Sequence, residues 1–413
     1  MANGFGDLTR MMRERLPALS HRDFRLLWLG QIVSISGSQM QAVAISWHIY
    51  QKTNSPLMLG LVGMSRVIPI ILFSLFGGAT ADSFNRKKIM FVTQTVMMSG
   101  AVLLALATDL GWDTPVLLLG ATALGAAASA FDNPARQSLI PNLVPPEHLT
   151  SAISLNTMMF QTSMIIGPAL AGFLLKNAGG ASVYWINAMT FVAVIGALLL
   201  MRVDERPSPG RAAMNMASLF EGLRFVRKNE LIFSTMLLDF FATFFASATA
   251  LLPIYARDIL KVDADGLGFL YSAEAVGSLI AGFGMSMLVD VRRKGHVLLI
   301  AVAFYGLATA IYGLSTNFLL SLVLLALVGA GDSVSTVLRS TIRNLVTPDH
   351  IRGRMTAVNM VFFMGGPQLG NLEAGLLAGL IGAPLAVLTG GIATVVVVAL
   401  TAWKFPGLRR YGE

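Results

Sequence analysis

The stretch Asn142–His148 reads NLVPPEH, and Asn344–His350 reads NLVTPDH. Each follows an apolar run of helical length, 115–137 in the first case and 318–341 in the second. A polar, proline-bearing septet repeated 202 residues apart indicates that one structural unit occurs twice. Neighbouring features agree. Gly167-Pro168 lies in the run after the first septet and Gly366-Pro367 in the run after the second, 199 residues apart. Upstream, Asp82 precedes Arg86-Lys87-Lys88, and Asp290 precedes Arg292-Arg293-Lys294. Three matched features in the same order predict two copies of a six-run unit.

The runs themselves are about 20 residues long, the length a helix needs to cross roughly 30 Å of hydrocarbon. Twelve are expected, near 25–48, 57–81, 89–108, 115–137, 152–175, 182–201, 231–255, 266–289, 296–315, 318–341, 355–381 and 384–404. Composition agrees, with 55% of the 413 residues hydrophobic and 13% charged. A soluble domain has about 45–50% and 25%. The reading is an all-α membrane protein with twelve transmembrane helices in two pseudo-symmetric six-helix bundles. Its expected segments are a basic amphipathic N-terminal stretch (1–24), a first bundle (25–202) and a linker with an interfacial helix (203–230). A second bundle (231–404) and a tail (405–413) complete the chain. Residues 1–24 show no signal-peptide core, so no processing is expected.

Charge sets the expected orientation. If the N-terminus is cytoplasmic, 25 of the 30 Lys and Arg fall on the cytoplasmic side, and Arg66 alone lies within a span. Both termini are therefore expected in the cytoplasm. The net charge of +8 then faces anionic lipid, with no nucleic-acid partner. Cysteine is absent, the five histidines form no HxxxH-type pair, and no metal or other cofactor is expected. No GxxxxGK[ST], GxSxG or HExxH occurs, and no loop is long enough for a catalytic domain, so no enzymatic role or catalytic residue is expected.

GGATADSFNRKK (Gly77–Lys88) resembles the major facilitator signature G-x-x-x-D-[RK]-x-G-[RK]-[RK], departing from it at Ser83 and Asn85. Within that superfamily, DNPARQSLIPNLVPPEHL (Asp132–Leu149), SLFEGLRFVRKN (Ser218–Asn229), GFLYSAEAVGSLIAG (Gly268–Gly282) and RGRMTAVN with GPQLGNLEAG (Arg352–Gly375) are similar to the enterobactin-exporter and macrolide-efflux branch. The resemblance implies a major facilitator fold, in which spans one, four, seven and ten line a cavity. Spans two, five, eight and eleven then join the halves. It implies a monomeric secondary transporter exporting an amphipathic small molecule, siderophore- or drug-like. Transport would run by proton antiport with rocker-switch alternating access, the proton gradient being the energy source. A lipid or lysolipid translocase on the same fold is the alternative, and import stays open.

Ionisable residues inside a bilayer are costly and usually functional. Here they are His48, Arg66, Asp132, Asp239, Glu274, Asp332 and Glu373. Arg66 and Glu373 lie roughly 12–14 Å deep from the outer ends of spans two and eleven, at 1.5 Å per residue. They are expected to form a coupling ion pair, set against a permanent structural salt bridge or two faces that never meet. Glu274, Asp239 and Asp332 are further candidates for proton coupling, set against structural pairing. Asp132 and Arg136 can pair at i, i+4, and Asp332, Ser335 and Arg339 share a face. By the resemblance, Asp82, Arg86 and Asp132 form a cytoplasmic gate with Lys87 and Arg136 beside them. Asp290, Arg292, Arg293, Asp332 and Arg339 are the counterpart. Gln31, Ser34, Ser38 and Gln41 make one polar stripe on span one, either a substrate-cavity wall or helix packing. Gly167-Pro168 and Gly366-Pro367 are kink or close-packing sites.

Overall fold

The computed structural model describes residues 16–203, 216–288 and 291–412, so Met1–Arg15 of the basic N-terminal segment, much of the linker, and Asp290 lie outside the described residues. The described chain is helical with no strand. Its elements are α1 (Arg22–Thr53), α2 (Pro56–Ser83), α3 (Arg86–Asp109), α4 (Pro115–Leu139), α5 (Leu149–Leu200), α6 (Met216–Lys228) and α7 (Glu230–Phe245). There follow α8 (Ala264–Met287), α9 (Lys294–Gly313), α10 (Phe318–Val346), α11 (Asp349–Ile381) and α12 (Ala383–Lys404). Gly179, at φ 78°, breaks α5 into two crossings, a backbone angle that a side chain would resist. With that break counted and the 13-residue α6 set aside, twelve helices among the described residues stand where twelve crossings were expected. Apolar side chains such as Phe76, Phe283 and Trp403 remain outward-facing, as a hydrocarbon solvent requires.

Helix starts follow from local chemistry. The side chains of Asn85, Thr114, Asn229 and Asn317 accept from the backbone N–H three residues on, at 3.0–3.3 Å. Span seven departs from the expected single helix. After Phe245 the chain continues as a 3-10 turn (Ala248–Leu251), a short turn at Leu252–Ile254 and a π turn (Tyr255–Ile259). The small residues Ala246–Ala250 give little apolar packing, and Pro253 lacks a backbone donor. Released polar groups find other partners: the Tyr305 hydroxyl donates to Ala246 O at 3.3 Å, and Ser247 donates to Asn371 and to Pro367 O.

The chain divides into two compact units. The first contains residues up to Ala44 with Ile68–Ala213, and the second contains Ile45–Val67 with Met214–Glu413. The expected division between 25–202 and 231–404 is thus altered for residues 45–67, and the reason is close packing. An added Cβ at Gly60 would lie 3.0 Å from Leu372 Cα, at Gly63 2.9 Å from Gln368 O, and at Gly375 2.7 Å from Pro56 O. Side chains there could not be accommodated, so this end of α2 is welded to α11.

Within the first unit, Gly167 packs α5 on α1 so closely that an added Cβ would lie 2.8 Å from Ser36 O. Within the second, Gly366 packs α11 on α7, where an added Cβ would lie 3.1 Å from Phe240 O. The repeated Gly-Pro pairs therefore stand at equivalent close approaches, with Pro168 and Pro367 inside helices that continue past them. The α6 helix lays buried Val226 against Ile232, Met236, Met355 and Val358, and Glu221 pairs with Arg354.

Candidate transport site

The second unit concentrates charge around α10. Arg339, 1% exposed, lies 2.8 Å from Asp239 of α7 and 3.6 Å from Asp332, about two turns earlier on α10. Arg343 approaches the other oxygen of Asp239 at 3.9 Å. The Arg339–Asp239 contact is close but off the hydrogen-bond axis, leaving both Asp239 oxygens, Arg339 Nε and Ser335 Oγ without hydrogen-bond partners. Asp239 is 1% exposed and Asp332 40%, so one acid is locked in and the other is open. Glu274 of α8 is half-buried, and Asp332 is the charge that acts on it. The backbone explains that proximity. Gly329 lets α10 touch the backbone of Glu274, and Asp332 follows three residues later on the same face.

The first unit holds a quieter version. Asp132 of α4 accepts from Thr93 Oγ1 at 2.9 Å and Gln94 Nε2 at 3.0 Å, and Ser34 donates to Gln94 Oε1 at 3.3 Å. Arg136 stays 3.9 Å from Asp132 and gives one N–H to Asn133 at 2.7 Å. Where the second unit places Asp239 on its first helix, the first unit has neutral Ser34.

Residues 14–409 match the family model described as transmembrane secretion effector. The chain belongs to that family, within the major facilitator superfamily. Similar relatives include the multidrug efflux pump Tap of Mycolicibacterium fortuitum, 26% identical over 366 residues that cover 86% of this chain and 88% of Tap. The enterobactin exporter EntS of Escherichia coli (strain 55989 / EAEC) is 26% identical over 407 residues, 95% of this chain and 94% of EntS. Among solved structures, an inward-facing, unoccupied bacterial homologue of the human lysosomal transporter Spinster superimposes with TM-score 0.74 at 15% identity, covering 94% and 98% of the two chains. An inward-facing bacterial homologue of the iron transporter ferroportin gives 0.72 at 17%, again covering 94% and 98%. These neighbours share the fold. The protein is a multi-pass transporter of the efflux type, moving a small molecule, and not an enzyme.

In this secretion-effector chain, several expected constellations are rearranged. No ion pair among the described residues joins Arg66 to Glu373. Opposing glycines set the register: residue 56 lies opposite 375, 60 opposite 372 and 63 opposite 368. Arg66 is then level with about residue 365, some 11 Å along the axis from Glu373. The helix α11 runs several residues beyond the start of α2, so equal counts from the two helix ends do not mean equal depth. Tyr271 of α8 is the ionisable neighbour of Arg66. A double-mutant cycle on Arg66→Gln and Glu373→Gln is expected to return coupling below about 0.5 kcal/mol in melting experiments; coupling of several times that would mean the two side chains meet.

Of the gate expected from Asp82, Arg86 and Asp132, the described residues show the surroundings of Arg86 and Asp132. Arg86 donates to Ala81 O at 3.4 Å and Ser138 O at 3.2 Å, while Asp132 is satisfied by α3 and Arg136. Ser138 is six residues past Asp132, about 9 Å along α4. Lys87 donates to Met201 O at 2.6 Å. The Asp82 side chain and Asp290 lie outside the described residues. Arg292 and Arg293 are exposed, and Asp332 engages Arg339 within its own helix.

The stripe on α1 is buried at Gln31 and Ser34 and partly exposed at Ser38 and Gln41. Gln31 and Ser34 are each 2% exposed, Ser38 donates to Ser34 O, and Gln41 accepts from Asn187 at 2.7 Å. Sequence reading missed Thr93-Gln94 on α3, whose polarity in an apolar span was the available signal. It also missed the cluster in which Tyr50 donates to Asp258, Arg257 lies 4.3 Å over the Tyr50 ring, and Arg257 also reaches Asn54. Those residues are far apart in the chain, and only the π turn at 255–259 presents them together.

Proposed function

We propose that this protein is a secondary active exporter of amphipathic small molecules, siderophore- or drug-like, driven by inward proton flow. It would lie in a bacterial cytoplasmic membrane with both termini cytoplasmic, the arrangement that places 25 of 30 basic residues on that side. Relatives that export enterobactin or pump several drugs support the direction and the substrate range.

The observation that carries proton coupling is the sharing of Arg339 between Asp239 and Asp332. Two acids compete for one guanidinium, and the open one is Asp332. A proton arriving on Asp332 releases its hold on Arg339, which then commits fully to Asp239. Loss of that proton restores the shared state. Two alternative ionic arrangements within one helix bundle can bias alternating access between its states.

Uptake into inside-out vesicles with an imposed inward-acid gradient tests the reading. Accumulation of a drug or catecholate that collapses with a protonophore is the expected result. Accumulation indifferent to the gradient would refute proton antiport.

A further inference from the structure

Three span residues of the second unit carry charge without protein compensation. Among the described residues, Arg66, Glu274 and Glu373 have no ion-pair or hydrogen-bond partner, and each is half-buried. Unpaired ionisable groups at membrane depth mark a solute or ion site. Two of the three are organised around one side chain. Tyr271 feels both Arg66 and Glu274, and it precedes Glu274 by three residues on the same face of α8. Ser46 hydrogen-bonds Tyr271 and fixes its hydroxyl end against α1. Glu373 stands apart, offset along α11 by the register described above.

The negative pole is the stronger. Asp239 and Asp332 share Arg339, Arg343 approaches Asp239, and Glu274 lies beside Asp332 across the Gly329 contact, so three carboxyl groups gather near two guanidinium groups. Asp239 is enclosed, which leaves the excess on Asp332 and Glu274. Tyr305 and Tyr312 of α9 lie within electrostatic reach of Glu274, and the Tyr312 hydroxyl is fully buried with no hydrogen-bond partner. Aromatic faces beside a carboxylate suit an organic ammonium. At the other pole, the Arg66 guanidinium suits a carboxylate or acidic phenol.

We infer that the solute is amphoteric, docking its anionic group at Arg66 and its cationic group at Glu274 and Asp332, with Tyr271 lying between them. The inference rests on the exporter reading and names the substrate class of that site. The solute's ammonium and the coupling proton then compete for the same carboxyl pair, so substrate binding expels a proton.

Binding is measured on the purified full-length protein with three probes: ciprofloxacin as zwitterion, tetraphenylphosphonium as cation and 2,3-dihydroxybenzoate as anion. Ciprofloxacin affinity is expected to fall at least tenfold in Arg66→Gln and in Glu274→Gln. Tetraphenylphosphonium affinity is expected to fall only in Glu274→Gln, and dihydroxybenzoate affinity only in Arg66→Gln. Arg66→Lys and Glu274→Asp, which keep the charges, are expected to retain ciprofloxacin binding and guard against misfolding. Zwitterion binding unchanged in Arg66→Gln, equal losses for all probes in both variants, or no probe binding to wild type would overturn the inference. The same probes in inside-out vesicles separate the two readings. Gradient-driven transport without this charge dependence defeats the amphoteric site alone, whereas no gradient-driven transport defeats the exporter.

Discussion

Arg339→Leu is expected to destabilise the protein by about 3–5 kcal/mol, the cost of leaving a buried carboxylate without its counter-charge. Arg339 and Asp239 are both 1% exposed, so neither can turn to water when the other is lost. Arg343 remains at 3.9 Å, too far to replace a contact of 2.8 Å. The cost arises from the orphaned acid more than from the lost attraction. Asp239→Leu combined with Arg339→Leu is therefore expected to recover much of the stability. Melting of both variants in detergent checks this, and a double variant no more stable than Arg339→Leu would show that the pair is not the source of the loss.

Gly329→Val is expected to have a comparably large effect for a different reason. A Cβ at Gly329 falls on the carbonyl of Glu274, and one at the neighbouring Gly277 falls on Ala326 O. Backbone atoms cannot rotate aside as a side-chain tip can, so α8 and α10 must separate. Separation would expose the interior of the crossing and displace Glu274 from Asp332. Almost no monodisperse protein is expected by size-exclusion chromatography. Gly284→Val is the control, because nothing lies within 4 Å of a Cβ there. Equal yields from the two variants would contradict the close crossing.

What the sequence made legible was periodicity. Apolar runs, the repeated septets and the matched Gly-Pro pairs specify helices and their order, because span length and turn chemistry are local properties. Axial register between helices is not local. Arg66 and Glu373 looked level when counted from their helix ends, yet glycine contacts at 60, 63 and 375 slide α11 past α2. Likewise the i, i+4 spacing brought Asp132 near Arg136, but nothing in that spacing revealed Thr93 and Gln94 as the stronger partners. Asp239 was visible as an intramembrane acid, whereas its partners on α10 are about 100 residues away and depend on tertiary packing. The break in span seven was masked by hydropathy, since Ala246–Leu252 is apolar enough to read as helix.

The pseudo-symmetric units thus place a largely neutral relay, Ser34–Gln94–Asp132, in one half and a charged one, Asp239–Arg339–Asp332, in the other. The second is where a proton can change the electrostatics, because its open acid shares a guanidinium that another acid already holds.

Proton flux in proteoliposomes tests that account most directly. A pH-sensitive dye is trapped inside and transported substrate is added outside, with wild type compared to Asp332→Asn. Substrate entry by wild type is expected to drive protons out and make the interior alkaline, while Asp332→Asn, which leaves the Arg339–Asp239 contact in place, is expected to lose the alkalinisation. Substrate movement in wild type without any pH change, or an undiminished change in Asp332→Asn, would contradict it.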